Sequence, residues 1–138
     1  MPESGFSNAI PVVQVRLTRP TRDLNAVTRF YCEGLGLRKL TEFEELTGFV
    51  GFVLGLPNWT YHLEFIYHPQ HTIHVRPDPQ NLLVLYMTEK EAIGRLVVRL
   101  GALGYYPVTP VNPYWDDKAV TIHDSDGYPL VLAEGHAE

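Results

Sequence analysis

Glu64 is the one carboxylate at the centre of an apolar stretch, residues 61–67 (YHLEFIY), and His62 stands two residues before it. In an extended chain alternate side chains share a face, so His62 and Glu64 project from one side while Tyr61, Leu63 and Phe65 project from the other. An imidazole and a carboxylate on one face are the components of an acid–base pair, or of a weak metal pair. Structural ion pairs use the same residue types without chemistry, so the motif also fits a polar neighbour that is simply satisfied. His68, His71 and His74 recur every third residue and would align only on a helix, which Pro69 and Pro77 oppose; the expectation there is an exposed loop, not a metal site. His123 abuts the turn Asp124-Ser125-Asp126-Gly127 and is expected to be solvated, and His136 belongs to the C-terminal tail.

Aromatic residues supply the second set of candidates. Residues 112–116 (NPYWD) carry Tyr114 and Trp115 in a segment stiffened by Pro110 and Pro113, Trp59 precedes Glu64, and Tyr86 lies in the apolar run 82–87. Rings at such positions stack on a flat ligand or cap the core and a subunit contact, and both readings stand. Phe30 and Tyr31 fall on a helix stripe and are read as core. Cys32, the single cysteine, has neither a disulfide partner nor an activating base in its vicinity.

The elements that must position these groups occur twice. Residues 58–65 (NWTYHLEF) lie on residues 125–132 (SDGYPLVL) at an offset of 67 positions, 131 less 64, which matches Tyr61 to Tyr128, Leu63 to Leu130 and Phe65 to Leu132. Glu64 alone changes character, meeting Val131. A period of this size implies one supersecondary unit built twice. In the first unit, residues 12–17 alternate as a strand with Val13, Val15 and Leu17 on its buried face, and Pro20 ends it. Asp23 caps a helix whose stripe is Leu24, Val27, Phe30 and Tyr31, closed by Gly34 and Gly36. Strands follow at 37–44, 49–54 and 61–67. A linker over 69–80, rich in Pro, His and Gln, crosses to a second unit. There a strand at 82–87 leads into a helix opened by a Thr88/Glu91 capping box, with a stripe of Ala92, Ile93, Leu96, Val97 and Leu100. Strands at 106–109, 119–123 and 130–133 complete it. Both units read βαβββ, giving an α+β domain with units at 12–68 and 81–134.

Two βαβββ units of this length resemble the vicinal-oxygen-chelate superfamily, which includes glyoxalases, extradiol dioxygenases, fosfomycin-resistance transferases and bleomycin-resistance proteins. The resemblance rests on Asp23-Leu24 opening the first helix, on Phe30-Tyr31 with Gly34-Leu35-Gly36-Leu37 closing it, and on Asp124-Ser125-Asp126-Gly127-Tyr128, which looks like the superfamily's DPDG turn with Ser125 for proline. It covers almost the whole chain. It implies that each unit curls into a half-cup and that paired half-cups enclose one site, where most members hold a divalent metal on the first and last strands of the units. Only Glu64 matches that ligand pattern. The other positions fall on Gln14 or Arg16, on Leu83 or Val84, and on Val131. Arginine is a fixed cation and the aliphatic residues cannot coordinate, so the resemblance implies a cup without the usual ligand set. Arg16 or His62 is then the natural partner of Glu64.

The chain has the length of one domain that folds without disulfides or metals to hold it together. Its 138 residues carry a net charge of −5 with no basic stripe, which argues against nucleic acid as partner. Neither a leader-like N-terminus nor a membrane-length apolar run is evident, so the expectation is a soluble cytoplasmic protein. The leading functional reading is a small-molecule binding protein without cofactor, dimeric so that its cups are closed, with Gln14, Arg16, Trp59, Tyr86, Tyr114 and Trp115 as ligand contacts. One alternative is a metal-dependent lyase, isomerase or dioxygenase holding Ni, Zn, Mn or Fe at Glu64 and His62. Another is a metal-free acid–base enzyme using the same two residues.

Overall fold

Each unit folds around a parallel pair that brings its first strand beside its last. The computed structural model describes residues 10–56 and 58–135; His136 and the first nine residues lie outside them. In the first unit, β1 (Val15–Pro20) runs parallel to β4 (Tyr61–Tyr67), and β4 continues antiparallel to β3 (Val50–Gly55) and β2 (Arg38–Glu44). The second repeats the order with β5 (Leu83–Met87) parallel to β8 (Pro129–Glu134), followed by β7 (Ala119–His123) and β6 (Pro107–Val108). A parallel neighbour requires a crossover, and in each unit it opens with a helix and returns through two antiparallel strands.

The first crossover begins as α1 (Leu24–Val27), where the Asp23 carboxylate accepts the Ala26 N–H at 3.0 Å as the capping signal requires. It then widens into a π-helical segment, Thr28–Gly34, seen in the Leu35 N–H to Phe30 carbonyl bond of 2.9 Å. A Cβ at Gly34 would lie 2.5 Å from a Leu100 methyl, so this glycine allows the crossover to press against α2 (Lys90–Ala102). The capping box expected at Thr88 does not form; Glu89 is the cap residue and its side chain makes no capping bond. The reason is that β5 remains bonded to the sheet through Met87, whose carbonyl accepts the Gly135 N–H at 2.8 Å, which holds Thr88 outside the helix.

The strand expected at 12–17 is also displaced, since pairing runs from Val15 opposite Tyr61 to Pro20 opposite Ile66. Pro20 does not stop the strand because β1 lies at a sheet edge, where a missing N–H breaks no ladder. The face assigned to burial is only half covered for the same reason. Val13 is 83% exposed and Val15 and Leu17 are also exposed, while Arg19 is buried at the inner end of the strand.

One core joins the two units. Phe30, Tyr31, Leu54, Leu63 and Phe65 of the first pack with Leu100, Ile122, Leu130 and Leu132 of the second. Where they meet, Tyr31 donates its hydroxyl to Asp124 at 2.5 Å, and the other Asp124 oxygen accepts the Asp126 and Tyr128 N–H groups, each at 2.9 Å. The Arg19 guanidinium sits 4.2 Å above the Tyr128 ring and 3.9 Å from Asp124, an ion pair without a hydrogen bond. Burial pushes the Tyr31 hydroxyl well above the ordinary tyrosine range, and the Asp124 charge reinforces it.

Removing the donor leaves Asp124 short of a partner, so Tyr31→Phe is expected to lower stability by about 1.5–3 kcal/mol in urea unfolding. A raised native pKa favours the neutral hydroxyl on folding. The wild type should therefore hold this contribution below about pH 10 and lose it as pH rises through the native value, while Tyr31→Phe shows a flatter alkaline limb.

Candidate functional site

Because the shared core covers one face of each sheet, each sheet turns its opposite face, the concave one in the superfamily this chain resembles, away from the seam. On the first sheet, pairing sets Arg16 beside His62 and Thr18 beside Glu64, with Gln14 just ahead of the strand. Thr18 donates its hydroxyl to one Glu64 oxygen at 2.6 Å, and Arg16 reaches the other at 3.6 Å. The Glu64 side chain is 16% exposed and that of Arg16 is 44% exposed, so the pair is open to solvent screening. His62 turns to a different partner. The Gln14 amide donates to its Nδ1 at 2.9 Å, which leaves the proton on Nε2, and Nε2 is buried without a partner. Bare backbone makes room for this ring, since a Cβ at Gly55 would lie 2.7 Å from it. Gln14, Arg16, His62 and Glu64 thus share one face as the sequence implies, but as two separate contacts.

These residues do not fit a divalent metal. Among the described residues no three His, Cys, Asp or Glu side chains converge on a point, and the Glu64 oxygens are already engaged by a hydroxyl and a guanidinium. Position 131, where the second unit would supply a carboxylate, presents a fully buried valine.

The second concave face is apolar and roofed. Trp115 lies over Val131 and Ala133, with Leu82, Val84 and Ala119 beside them. Its loop is locally determined: Asn112 caps a 3-10 turn, Pro113–Trp115, by accepting the Tyr114 N–H at 3.0 Å, and Pro113 fits the first helical position. Between this roof and the sheet is a cavity of about 530 Å³, walled by Trp115, Thr121, Val131 and several prolines, with the exposed His123 among its lining residues. Thr121 is only 5% exposed and its hydroxyl has no hydrogen-bond partner. Strand alternation with Ala119 and His123 was the signal that placed it here, and without knowing which face was roofed that signal had no meaning.

The other aromatic candidates separate. Tyr114 is exposed beneath the Lys118 ammonium, 4.0 Å from its ring, and does not line the cavity. Trp59 and Tyr86 do not line the cavity, although Tyr86 shares the sheet face of Val84 and Ala133; half-exposed at 49% and 41%, they border a crevice of about 220 Å³ at the seam, with Leu54, Leu63, Leu83 and Leu96. The linker histidines also need correction. His68 is buried, not exposed, donating Nε2–H to the Thr47 carbonyl and accepting the Gln70 N–H, and it stacks on His71 at 3.7 Å. The side chain fits because Gly48, with φ of 98°, leaves the space a Cβ would take. His71 and His74 are exposed as expected.

Comparison with known proteins places this geometry. Residues 15–66 match the YycE-like N-terminal domain and residues 80–134 the YycE-like C-terminal domain. The chain is 37% identical over 125 residues to the uncharacterized protein YycE of Bacillus subtilis (strain 168), covering 91% of this chain and 90% of that one. A crystal structure of Bacillus subtilis YycE, a protein of unknown function grouped with glyoxalase and fosfomycin-resistance proteins, superposes with a TM-score of 0.88 at 35% identity over 96% of both chains. The trypanothione-dependent glyoxalase I of Leishmania major shares the fold at 18% identity and a TM-score of 0.69, over 88% of this chain and 85% of that one. So does TnmS3, an antibiotic-binding protein from Streptomyces sp. CB03234, at 18% identity and 0.64, over 97% and 100%.

Trp115→Ala removes the roof of the second concave face, and a loss of about 3 kcal/mol is expected in denaturant unfolding. Tyr114→Ala loses only an edge-on contact with the Trp115 ring at 4.9 Å and the Lys118 cation above it, and a smaller loss of about 0.5–1.5 kcal/mol is expected in the same measurement.

Proposed function

The chain belongs to the YycE-like family of the vicinal-oxygen-chelate superfamily, and from that premise we propose that it binds a small organic molecule without metal chemistry. The observation that carries this reading is the contrast between its two concave faces. The first has a carboxylate consumed by Thr18 and Arg16, whereas the second has a roofed cavity large enough for an organic ligand. The fold alone decides nothing, since it hosts both a glyoxalase and an antibiotic-binding protein among the solved neighbours.

A second reading is favoured by His62. Its tautomer is set by Gln14, its protonated Nε2 is free of partners, and Glu64 lies two residues away on the same face. That is an oriented proton donor, the minimum a metal-free acid–base enzyme needs.

Dimerisation belongs to the same proposal. Val15 and Leu17 of β1, the outer strand of its sheet, are exposed together with Ile10 and Val13 in the segment leading into it, and an apolar strand edge of this kind is a template for pairing with a second copy. Light scattering should find a dimer, and Val13→Asp with Val15→Asp should shift it to monomer; a wild-type monomer would remove this part of the proposal.

Elemental analysis and titration with Ni, Zn, Mn and Fe(II) separate the functional readings. Neither wild type nor Glu64→Ala is expected to retain near-stoichiometric metal; metal bound by the wild type and lost in Glu64→Ala would overturn the binding proposal in favour of a lyase or dioxygenase. His62→Gln tests the second reading, which predicts loss of any turnover with ligand binding retained.

A further inference from the structure

The cavity on the second concave face has a chemical character that narrows its ligand, and this inference rests on the proposal that the cavity is the binding site. Its lining includes no lysine, arginine, aspartate or glutamate. The one ionisable side chain of the lining is the exposed His123, so a charged ligand group seated against Thr121 and Val131 would lose hydration without gaining a fixed counter-ion, which is unfavourable. The walls are instead an indole and four proline rings, Pro79, Pro110, Pro113 and Pro129, whose conformations are nearly fixed and lose little freedom when a rigid ring packs on them. Five polar residues also line it, Gln80, Thr109, Asn112, Thr121 and His123, and of these Thr121 alone is buried. Thr121 lines the cavity, is 95% removed from solvent, and its hydroxyl has no hydrogen-bond partner in the protein. Its strand partners are the hydrocarbon side chains of Val131 and Val108, so neither neighbouring side chain satisfies it.

A buried hydroxyl left unpaired is unfavourable, and a ligand that pairs it recovers that loss, whereas a hydrocarbon of the same shape does not. A rotation between staggered χ1 wells exchanges the hydroxyl and methyl of a threonine, and a hydroxyl both donates and accepts. We propose that Thr121 is the specificity-determining residue of this cavity and that the ligand is an uncharged, ring-bearing molecule presenting a hydroxyl, carbonyl or amide to it. Sites that hydrogen-bond a ligand in this way discriminate most strongly against the analogue lacking the group.

The matched probes 2-naphthol, 2-methylnaphthalene and 2-naphthoate test this by nitrogen-15 NMR titration of the full chain. The amides of Thr121 and Val131 report the cavity, and those of Tyr61 and Tyr86 report the seam crevice. Wild type is expected to bind 2-naphthol at the cavity at least about tenfold more tightly than either other probe. Thr121→Val should abolish the preference over 2-methylnaphthalene, and Thr121→Ser, which keeps the hydroxyl, should retain it; the Ser variant also guards against a general packing defect. Equal binding of 2-naphthol and 2-methylnaphthalene at the cavity, unchanged in Thr121→Val, would overturn the role of Thr121 and leave the cavity as the binding site. Tighter binding of 2-naphthoate would overturn the uncharged class. Failure of all three probes to shift the cavity amides would overturn both this inference and the assignment of the site to the cavity, a different result from metal retention at Glu64.

Discussion

The Asp124 carboxylate is the point on which the two halves of the molecule are fastened. One oxygen closes the turn before β8 through two backbone N–H groups, and the other takes the Tyr31 hydroxyl from the opposite unit. Arg19 and Tyr128 complete the junction as a cation stacked on a ring. A buried carboxylate persists only with such a full set of partners, and a buried network that is nearly satisfied fixes one arrangement of its elements. The apolar core gives the seam its strength, but hydrophobic contact is non-directional, and the polar junction sets how the units meet.

Fixing the seam on the helix side of both sheets dictates what remains for function. The concave faces are left to carry chemistry, and they have diverged although the scaffold repeats. Where the first unit has Glu64 beside Thr18, the second has Val131 beside Val84. The first face is therefore polar and open, and the second has an apolar patch, Val131 and Ala133, on which Trp115 packs. The binding proposal favours the second because its roofed cavity, free of Lys, Arg, Asp and Glu, holds a buried unpaired hydroxyl, while Glu64 and the exposed Arg16 are already paired with each other.

Local signals survived folding where the chain decides by itself. The Asp23 cap, the strand at 61–67 and the shared face of His62 and Glu64 depend only on neighbours in sequence, and the structure has them. The Thr88 capping box has an equally good local pattern but failed, because a longer-range bond from Gly135 to Met87 competes for that stretch of backbone. Burial was the harder inference. Val13, Val15 and Leu17 alternate as an inward face does, and they are exposed because the strand that carries them has a neighbour on one side only. His68 lies in a segment with every mark of a surface loop and is buried by a glycine twenty residues away.

The sequence by itself determined the doubled βαβββ plan, the shared face of His62 and Glu64, and the change from Glu64 to Val131 between the two units, while it left Arg16 and His62 both open as the carboxylate's partner. Periodicity and residue chemistry are local properties, and they suffice for these. Only the tertiary structure decided which aromatic residues share a surface, drawing Trp115 over the second sheet while sending Trp59 and Tyr86 to the seam and Tyr114 to solvent. It also decided that Thr121 lines a cavity with an unpaired hydroxyl. Enclosure arises from segments distant in sequence closing on one volume, and no spacing along the chain encodes it.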